Sequence, residues 1–240
     1  VMHGTVAGAP AGGRAARGRV GSDALSWDLV IPVKRLDSAK SRLDGVDSAC
    51  RRRLALSFAL DAVAAALSAT RVRRVLVVTA DPRAAAELGL RGAVIVDETR
   101  GPGLNPAIEA GVAVVRQQEP LRRVAAMTGD LPAASGAGID RVLAAAEDHR
   151  LTVLADAEGT GTVLLTANPV VGQEVSRPVR LHPLFGEGSF ARHVRAGHVA
   201  LTGDHPGLRR DVDTRADLEA ARRLGVGPMT EAALSGLVTA

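Results

Sequence analysis

The chain has 240 residues, 46% of them hydrophobic, enough for one sizeable core or a core with a small appended subdomain. Aromatics make up 2%, so that core must be built from Ala, Val and Leu, and the single cysteine, Cys50, excludes a disulfide framework or a cysteine-based zinc site. The net charge is +4 and the pI about 10.4, yet a polynucleotide surface that works by stacking needs aromatics beside its basic residues, and those are nearly absent. The charge therefore reads as an Arg-rich composition that also attracts small phosphorylated substrates. No apolar run reaches bilayer length, because Asp61 interrupts the best candidate at Leu54–Leu67, and the N-terminus lacks the apolar stretch of a signal peptide. The expectation is a cytoplasmic protein with no nucleic-acid and no membrane partner.

Residues 1–26 are Gly, Ala and Arg without periodicity and read as a disordered leader. A folded domain is expected over residues 27–226, followed by a tail at 227–240 that adds at most one short helix. The first strand is Leu29–Lys34, and a long helix runs from Asp47 or Ser48 to Thr70. Val75–Thr79 is a buried strand, Pro82–Leu88 a helix and Ala93–Val96 a third strand. Asn105 is the expected N-cap of a helix to Gln118, with Pro106 at its first position. Val124–Thr128 is the next strand and Ala137–Asp148 the next helix. Strands at Leu151–Ala155 and Thr162–Thr166 precede a short helix at Ser189–Ala196 and a strand at His198–Leu201. Thr214 and Asp217 form the pattern of a capping box for a helix to Leu224. Strands alternating with helices predict an α/β, Rossmann-like fold with a mostly parallel central sheet flanked by helices. Ligands in such sheets bind beyond the carboxyl ends of the strands, after Val33, Val96, Thr128 and Leu201.

Four cations lie between Lys34 and Arg42, at the end of the first strand. The chain's 30 basic residues include only two lysines, Lys34 and Lys40, and both are here. A composition that chooses Arg elsewhere has kept a compact ammonium at these two places, which points to a triphosphate clamp over a solvated basic loop. Gly103, Leu104 and Asn105 form a Gly-rich turn into a helix, where the main chain can approach a ligand. Asp130 follows a buried strand in Gly129-Asp130-Leu131-Pro132. Asp211 and Asp213 share one face if Arg210–Thr214 is extended, and two adjacent carboxylates ask for a cation between them. Asp130, Asp211 and Asp213 together would make an oxygen-rich site for Mg²⁺. Thr162 in Gly159–Thr162, and Gly186 and Ser189 in Phe185–Phe190, offer hydroxyl and main-chain donors for a phosphate or carboxylate. His193 is expected to pack or hydrogen-bond near that loop rather than act as a base, because a phosphate oxygen needs no deprotonation to attack.

This ordered set of motifs, from Ile31-Pro32-Val33-Lys34 to Asp211-Val212-Asp213-Thr214, resembles the 2-phospho-L-lactate/phosphoenolpyruvate guanylyltransferases of coenzyme F420 biosynthesis. The resemblance covers about Leu29 to Leu224. It implies a nucleotide-diphospho-sugar transferase-like fold and transfer of GMP from GTP to a phosphorylated carboxylic acid, with release of pyrophosphate. The Ala/Arg-rich composition points to phosphoenolpyruvate as acceptor, with 2-phospho-L-lactate as the alternative, and the product would pass to a downstream transferase of that pathway. Carried over by motif, Thr162, Gly186 and Ser189 hold the acid, Asp130, Asp211 and Asp213 hold Mg²⁺, and Lys34, Lys40 and Arg42 neutralise charge in the transfer. Val170–Pro178 departs from the pattern as an insertion before the acceptor loop. Another nucleotidyltransferase of the same fold, or a non-catalytic nucleotide-binding regulator, are the competing readings. The first strand of the molybdenum-cofactor type leads into a Gly-rich loop, whereas Lys34–Ser38 contains no glycine.

Overall fold

A computed structural model describes residues 26–40, 42–43, 45–98, 101–171, 174–175 and 177–238. The expected leader, apart from Ser26, and Ser41 of the basic segment lie outside the described residues. In chain order the elements are β1 (Trp27–Pro32), α1 (Ser48–Ser68), β2 (Val72–Thr79), α2 (Pro82–Gly89), β3 (Val94–Asp97), α3 (Leu104–Gln118) and β4 (Arg123–Met127). Then come α4 (Gly136–Ala146), β5 (Leu151–Ala155), β6 (Thr162–Ala167), β7 (Val170–Val171) and β8 (Glu174–Val175). The chain continues through α5 (Ser189–Arg195), β9 (Val199–Ala200), α6 (Pro206–Arg209), α7 (Arg215–Leu224) and α8 (Pro228–Val238). None of the described helices is long and apolar enough to cross a membrane.

Seven strands form one sheet in the order β3-β2-β1-β4-β6-β5-β9. The pairs β1–β2, β1–β4, β2–β3 and β5–β9 are parallel, and β6 runs antiparallel to both neighbours. Strand order reverses at β1, so a crevice opens beyond the carboxyl ends of β1 and β4. Because β6 runs the other way, its amino end at Thr162 lies at that same edge, with Thr128 N donating to Val163 O at 3.0 Å. The tight approach of the two strand ends depends on Gly129. A Cβ there would stand 3.1 Å from Pro32 O and 3.3 Å from Ile31 Cγ2.

Side chains alternate across the sheet as a period of two requires. Leu29, Ile31, Val75, Val77, Ala125 and Met127 pack on the face covered by α1, α2 and α4. Val30, Leu76, Val78, Val124 and Ala126 pack on the face covered by α3 and the segment around Phe185. With both faces buried, the strands read as continuous apolar runs rather than alternating ones. β1 begins two residues earlier than its apolar run, because fully buried Asp28 is neutralised by Arg73 (2.9 Å) and Arg74 (2.8 Å).

One helix start departs from the sequence reading. Gly103, not Asn105, is the N-cap of α3 and sits at φ 121°, and Pro106 falls in the first turn rather than at its start. The expected capping box of α7 is present, with Thr214 accepting from Asp217 N and the Asp217 carboxylate accepting from Thr214 N. The expected insertion contributes the small β7–β8 hairpin, with residues 172, 173 and 176 outside the described residues.

The segment beyond Gly227 packs on α1. Asp61, the charge that interrupts the apolar run of α1, is 4% exposed. Its carboxylate accepts from Met229 N (3.1 Å) and Thr230 N (2.8 Å), two donors of the first turn of α8 that have no partner within the helix. Replacing Asp61 with Ala removes this cap and buries the two N–H groups unpaired. The expected cost is about 1–3 kcal/mol, read as a lower urea midpoint with an unchanged slope.

Candidate active site

The crevice beyond β1 and β4 is a cleft of about 460 Å³, within the range that holds a small ligand. Its walls come from six segments far apart in the chain. Lys34, Lys40 and Arg42 follow β1, Leu104 opens α3, Asp130 follows β4, Thr162 opens β6, and Gly186, Ser189, Asp211 and Asp213 complete the ring. Of the site residues expected from sequence, Gly103 and Asn105 alone do not line the cleft. Asn105 spends its amide on the main chain of Phe185, donating from Nδ2 to O at 3.2 Å and accepting at Oδ1 from N at 2.8 Å. It ties the start of α3 to the Phe185–Ser189 loop, which explains why it does not cap its own helix.

The two lysines occupy different surroundings. Lys34 and Arg42 are exposed at the rim, where their cations face solvent. Lys40 has a left-handed backbone, φ 56°, and its ammonium reaches Asp130 Oδ2 at 2.6 Å and Asp213 Oδ1 at 2.9 Å. Lys40 therefore sits between two of the expected metal-binding carboxylates rather than free in a phosphate clamp. Burial works to lower its pKa, but the two carboxylates outweigh burial and hold it above the usual lysine value. Burial likewise pushes Asp130 upward, and the Lys40 charge outweighs it and keeps Asp130 below the usual carboxylate range. Asp211 makes no such ion pair among the described residues. Burial, then the charge of Asp130, push it up to about 7.

The segment carrying Asp211 and Asp213 is placed by the residue between them. Val212 is fully buried against Leu54, Phe58 and Leu218, and its N–H donates to Asp130 O at 3.1 Å. With Val212 turned inward, both flanking aspartates face the cleft, as the alternation predicts. Among the described residues, no three imidazole, thiolate or carboxylate groups close around a single point. Arg210, which the sequence reading passed over, ties this segment to the opposite wall through Glu158 (2.6 Å) and to the first turn of α7 through Asp217 (3.2 Å).

On that opposite wall, Asp156 accepts from Thr160 N (2.9 Å) and Gly161 N (2.8 Å), a side-chain-closed turn that presents Thr162. The Asp-to-Gly spacing was the available sequence signal for it. Ser189 Oγ lies 3.1 Å from Thr162 Oγ1, and His193 Nδ1 lies 3.0 Å from the same oxygen. Ser189 and His193 are both nearly or fully buried, and the ring of His193 meets Phe185 and His198 edge-on at 5.4 and 5.3 Å.

Burial, followed by the neighbouring His198, lowers His193 from 6.5 to about 4. The folded chain thus refuses a proton that the unfolded chain takes up near 6.5. The stabilisation is complete above that pH and is lost as pH falls from about 6.5 toward 4. Urea midpoints measured at pH 7.5 and pH 5 should drop for the wild-type chain and drop less for His193→Phe.

Comparison with known proteins follows the same outline. Residues 27–202 match the family described as guanylyl transferase CofC like. A phosphoenolpyruvate guanylyltransferase of Streptomyces scabiei is 50% identical over 89% of this chain and 98% of its own length. That of Geodermatophilus obscurus is 48% identical over 88% of this chain and 95% of its own. Among solved structures, a protein assigned to the nucleotide-diphospho-sugar transferases from Desulfovibrio desulfuricans G20 superposes with a TM-score of 0.62. It covers 88% of this chain and 94% of its own at 16% identity. The 4-diphosphocytidyl-2C-methyl-D-erythritol synthase of Anaerococcus prevotii gives 0.51 over 84% and 97%, at 10% identity. At such identities these structures speak for the fold alone, which is the nucleotide-diphospho-sugar transferase fold expected from the motifs. The identity of the curated relatives and the match over most of the folded chain place this protein in the CofC-like guanylyl transferase family.

Proposed function

We propose that this chain transfers GMP from GTP to phosphoenolpyruvate, releasing pyrophosphate, as a cytoplasmic step toward coenzyme F420. The observation that carries the reading is one cleft in which a cationic rim, three aspartates and a hydroxyl-lined wall converge. The chain's relatives named phosphoenolpyruvate guanylyltransferases support the choice of acceptor.

In this reading a phosphate oxygen of phosphoenolpyruvate attacks the α-phosphorus of GTP in line. The bond from that phosphorus to the bridging oxygen breaks, and pyrophosphate leaves with the electron pair. The phosphate oxygen is already anionic at neutral pH, so the reaction requires neither a protein nucleophile nor a base. Positioning and charge neutralisation supply the catalysis. Lys34 and Arg42 face the triphosphate from the rim, and Leu104 at the start of α3 lines the nucleotide side of the cleft. Thr162, Ser189 and the Gly186 main chain grip the acceptor on the far wall. The acceptor reading gives Asn105 the task of holding that wall against the nucleotide side.

The residues fit a hard divalent cation. Among the described residues, Asp130 Oδ1 is buried with no hydrogen-bond partner, and Asp211 beside it makes no ion pair. Asp130, Asp211 and Asp213 would hold Mg²⁺, which supplies the charge neutralisation two polyanions need to approach each other. Lys40 already brings a single positive charge to two of these carboxylates, Asp130 and Asp213.

The direct test is incubation with GTP, Mg²⁺ and either phosphoenolpyruvate or 2-phospho-L-lactate, with products read by mass spectrometry. A guanylylated phosphoenolpyruvate plus pyrophosphate is the expected result. A higher kcat/KM for 2-phospho-L-lactate would change the acceptor, and no product from either acid would overturn the functional reading.

Variants test the roles. Asp211→Asn and Asp213→Asn should lose most activity at limiting Mg²⁺ while melting at the wild-type temperature. Lys34→Ala or Lys40→Ala should slow transfer or weaken GTP binding by roughly ten- to a thousand-fold, the range of a lost charge-assisted contact of about 1.5–4 kcal/mol. Lys40→Arg should not restore activity, because a planar guanidinium does not fit between Asp130 and Asp213 as a compact ammonium does.

A further inference from the structure

Behind the hydroxyl wall, the ring of fully buried His193 makes two hydrogen bonds that settle its protonation. Nε2 is 2.8 Å from the main-chain nitrogen of Leu184. A main-chain N–H can only donate, so Nε2 is the acceptor and carries no proton. In the neutral ring the proton is then on Nδ1, which faces Thr162 Oγ1 at 3.0 Å. Thr162 must accept that bond.

The consequence is a count of protons. Thr162 and Ser189 have one hydroxyl proton each, and their oxygens are 3.1 Å apart. If Ser189 donates to Thr162, both lone pairs of Thr162 are used and its own proton is left over. If Thr162 donates to Ser189, the Ser189 proton is left over. In both cases one O–H donor remains, and both residues line the cleft. With the opposite tautomer the ring would take the Thr162 proton, and keeping the Ser189–Thr162 bond would leave no donor for a ligand.

We propose that His193 is a positioning residue for the acceptor acid. Through its Nδ1–H bond to Thr162, it sets the hydroxyl pair so that one O–H always points at an oxyanion of the acceptor. The inference rests on the acceptor reading of the Thr162, Gly186 and Ser189 wall. The surroundings fix the ring rather than merely fill space: Phe185 and His198 meet its edges, and His198 Nδ1 pairs with His193 O at 3.1 Å.

The test is a double-mutant cycle of His193→Phe and Thr162→Val, with KM for phosphoenolpyruvate and for GTP measured separately and folding checked by thermal melting. Phenylalanine keeps the ring's bulk and removes both hydrogen bonds. His193→Phe should raise the KM for phosphoenolpyruvate roughly ten-fold, as for one lost hydrogen bond to a charged group, and leave the KM for GTP unchanged. In the Thr162→Val background the same change should add less than about two-fold, because His193 acts through that hydroxyl. An equal factor in both backgrounds, or a parallel rise in both KM values, assigns His193 to packing alone and overturns the proposal. If Thr162→Val by itself leaves the phosphoenolpyruvate KM unchanged, the acceptor reading of the wall fails and takes the proposal with it. His193→Asn, whose amide N–H can replace Nδ1–H, carries the test should the Phe variant not fold. A phosphoenolpyruvate KM within about three-fold of wild type supports the proposal, and a ten-fold rise overturns it.

Discussion

The cleft depends on how closely the ends of β1 and β4 approach. The two strands run parallel and finish level, and the absence of a Cβ at Gly129 lets the chain after β4 lie against Pro32. That closeness brings Lys40, which follows β1 by only a short loop, within 2.6 Å of Asp130, which follows β4. The reversed direction of β6 then delivers Thr162 to the same edge. A parallel strand in that place would present its carboxyl end there and carry Thr162 to the far side of the sheet. One antiparallel strand in a mostly parallel sheet thus puts the hydroxyl-lined wall opposite the cationic rim.

Charge at the cleft floor follows from that geometry. Three carboxylates are drawn together there, and burial disfavours the ionised form of Asp130 and Asp211. Lys40 relieves Asp130 and Asp213, and Asp211 is left to carry the cost, with its pKa pushed up to about 7. A fold that kept Asp211 only for stability would gain by replacing it, since burial without an ion pair disfavours its charge. The convergence of the three aspartates is consistent with the cation site proposed above, and Lys40 pairs with two of them. The left-handed backbone of Lys40 is an unfavourable conformation for a residue with a Cβ, and the two ion pairs offset it.

Particular residues show what was legible in the sequence. The alternation around Val212 predicted two aspartates on one face, because period two holds for any extended segment whose middle residue is buried. The lysine bias marked Lys34 and Lys40 but not their different fates, since which carboxylates a lysine meets is decided by contacts 90 and 173 positions away in the chain. Asn105 misled for a related reason. Asn before Pro is a good local signal for a cap, but its amide is claimed by Phe185, 80 positions away. The docking of α8 was invisible because its anchor, Asp61, looked like an interruption in an apolar helix. Only the partner's first turn gives that carboxylate a purpose.

His193 brings these threads to one point. A histidine beside a reaction centre invites the role of general base, and two features of this one argue against it. Its Nε2 is committed to Leu184 N, and burial lowers its pKa to about 4, so near neutral pH it is uncharged and holds its Nδ1 proton. A phosphate nucleophile has no proton to surrender, so nothing is lost by withdrawing the imidazole from acid–base chemistry. What the site lacks is direction, since the protons of two adjacent hydroxyls can rotate and can satisfy each other instead of a ligand. An imidazole locked in one tautomer removes that freedom without adding a charge. A lysine or arginine in its place would also donate to Thr162, but it would put an unpaired cation against Phe185 and His198. The same burial that makes His193 useless as a base therefore makes it well suited to orient a donor.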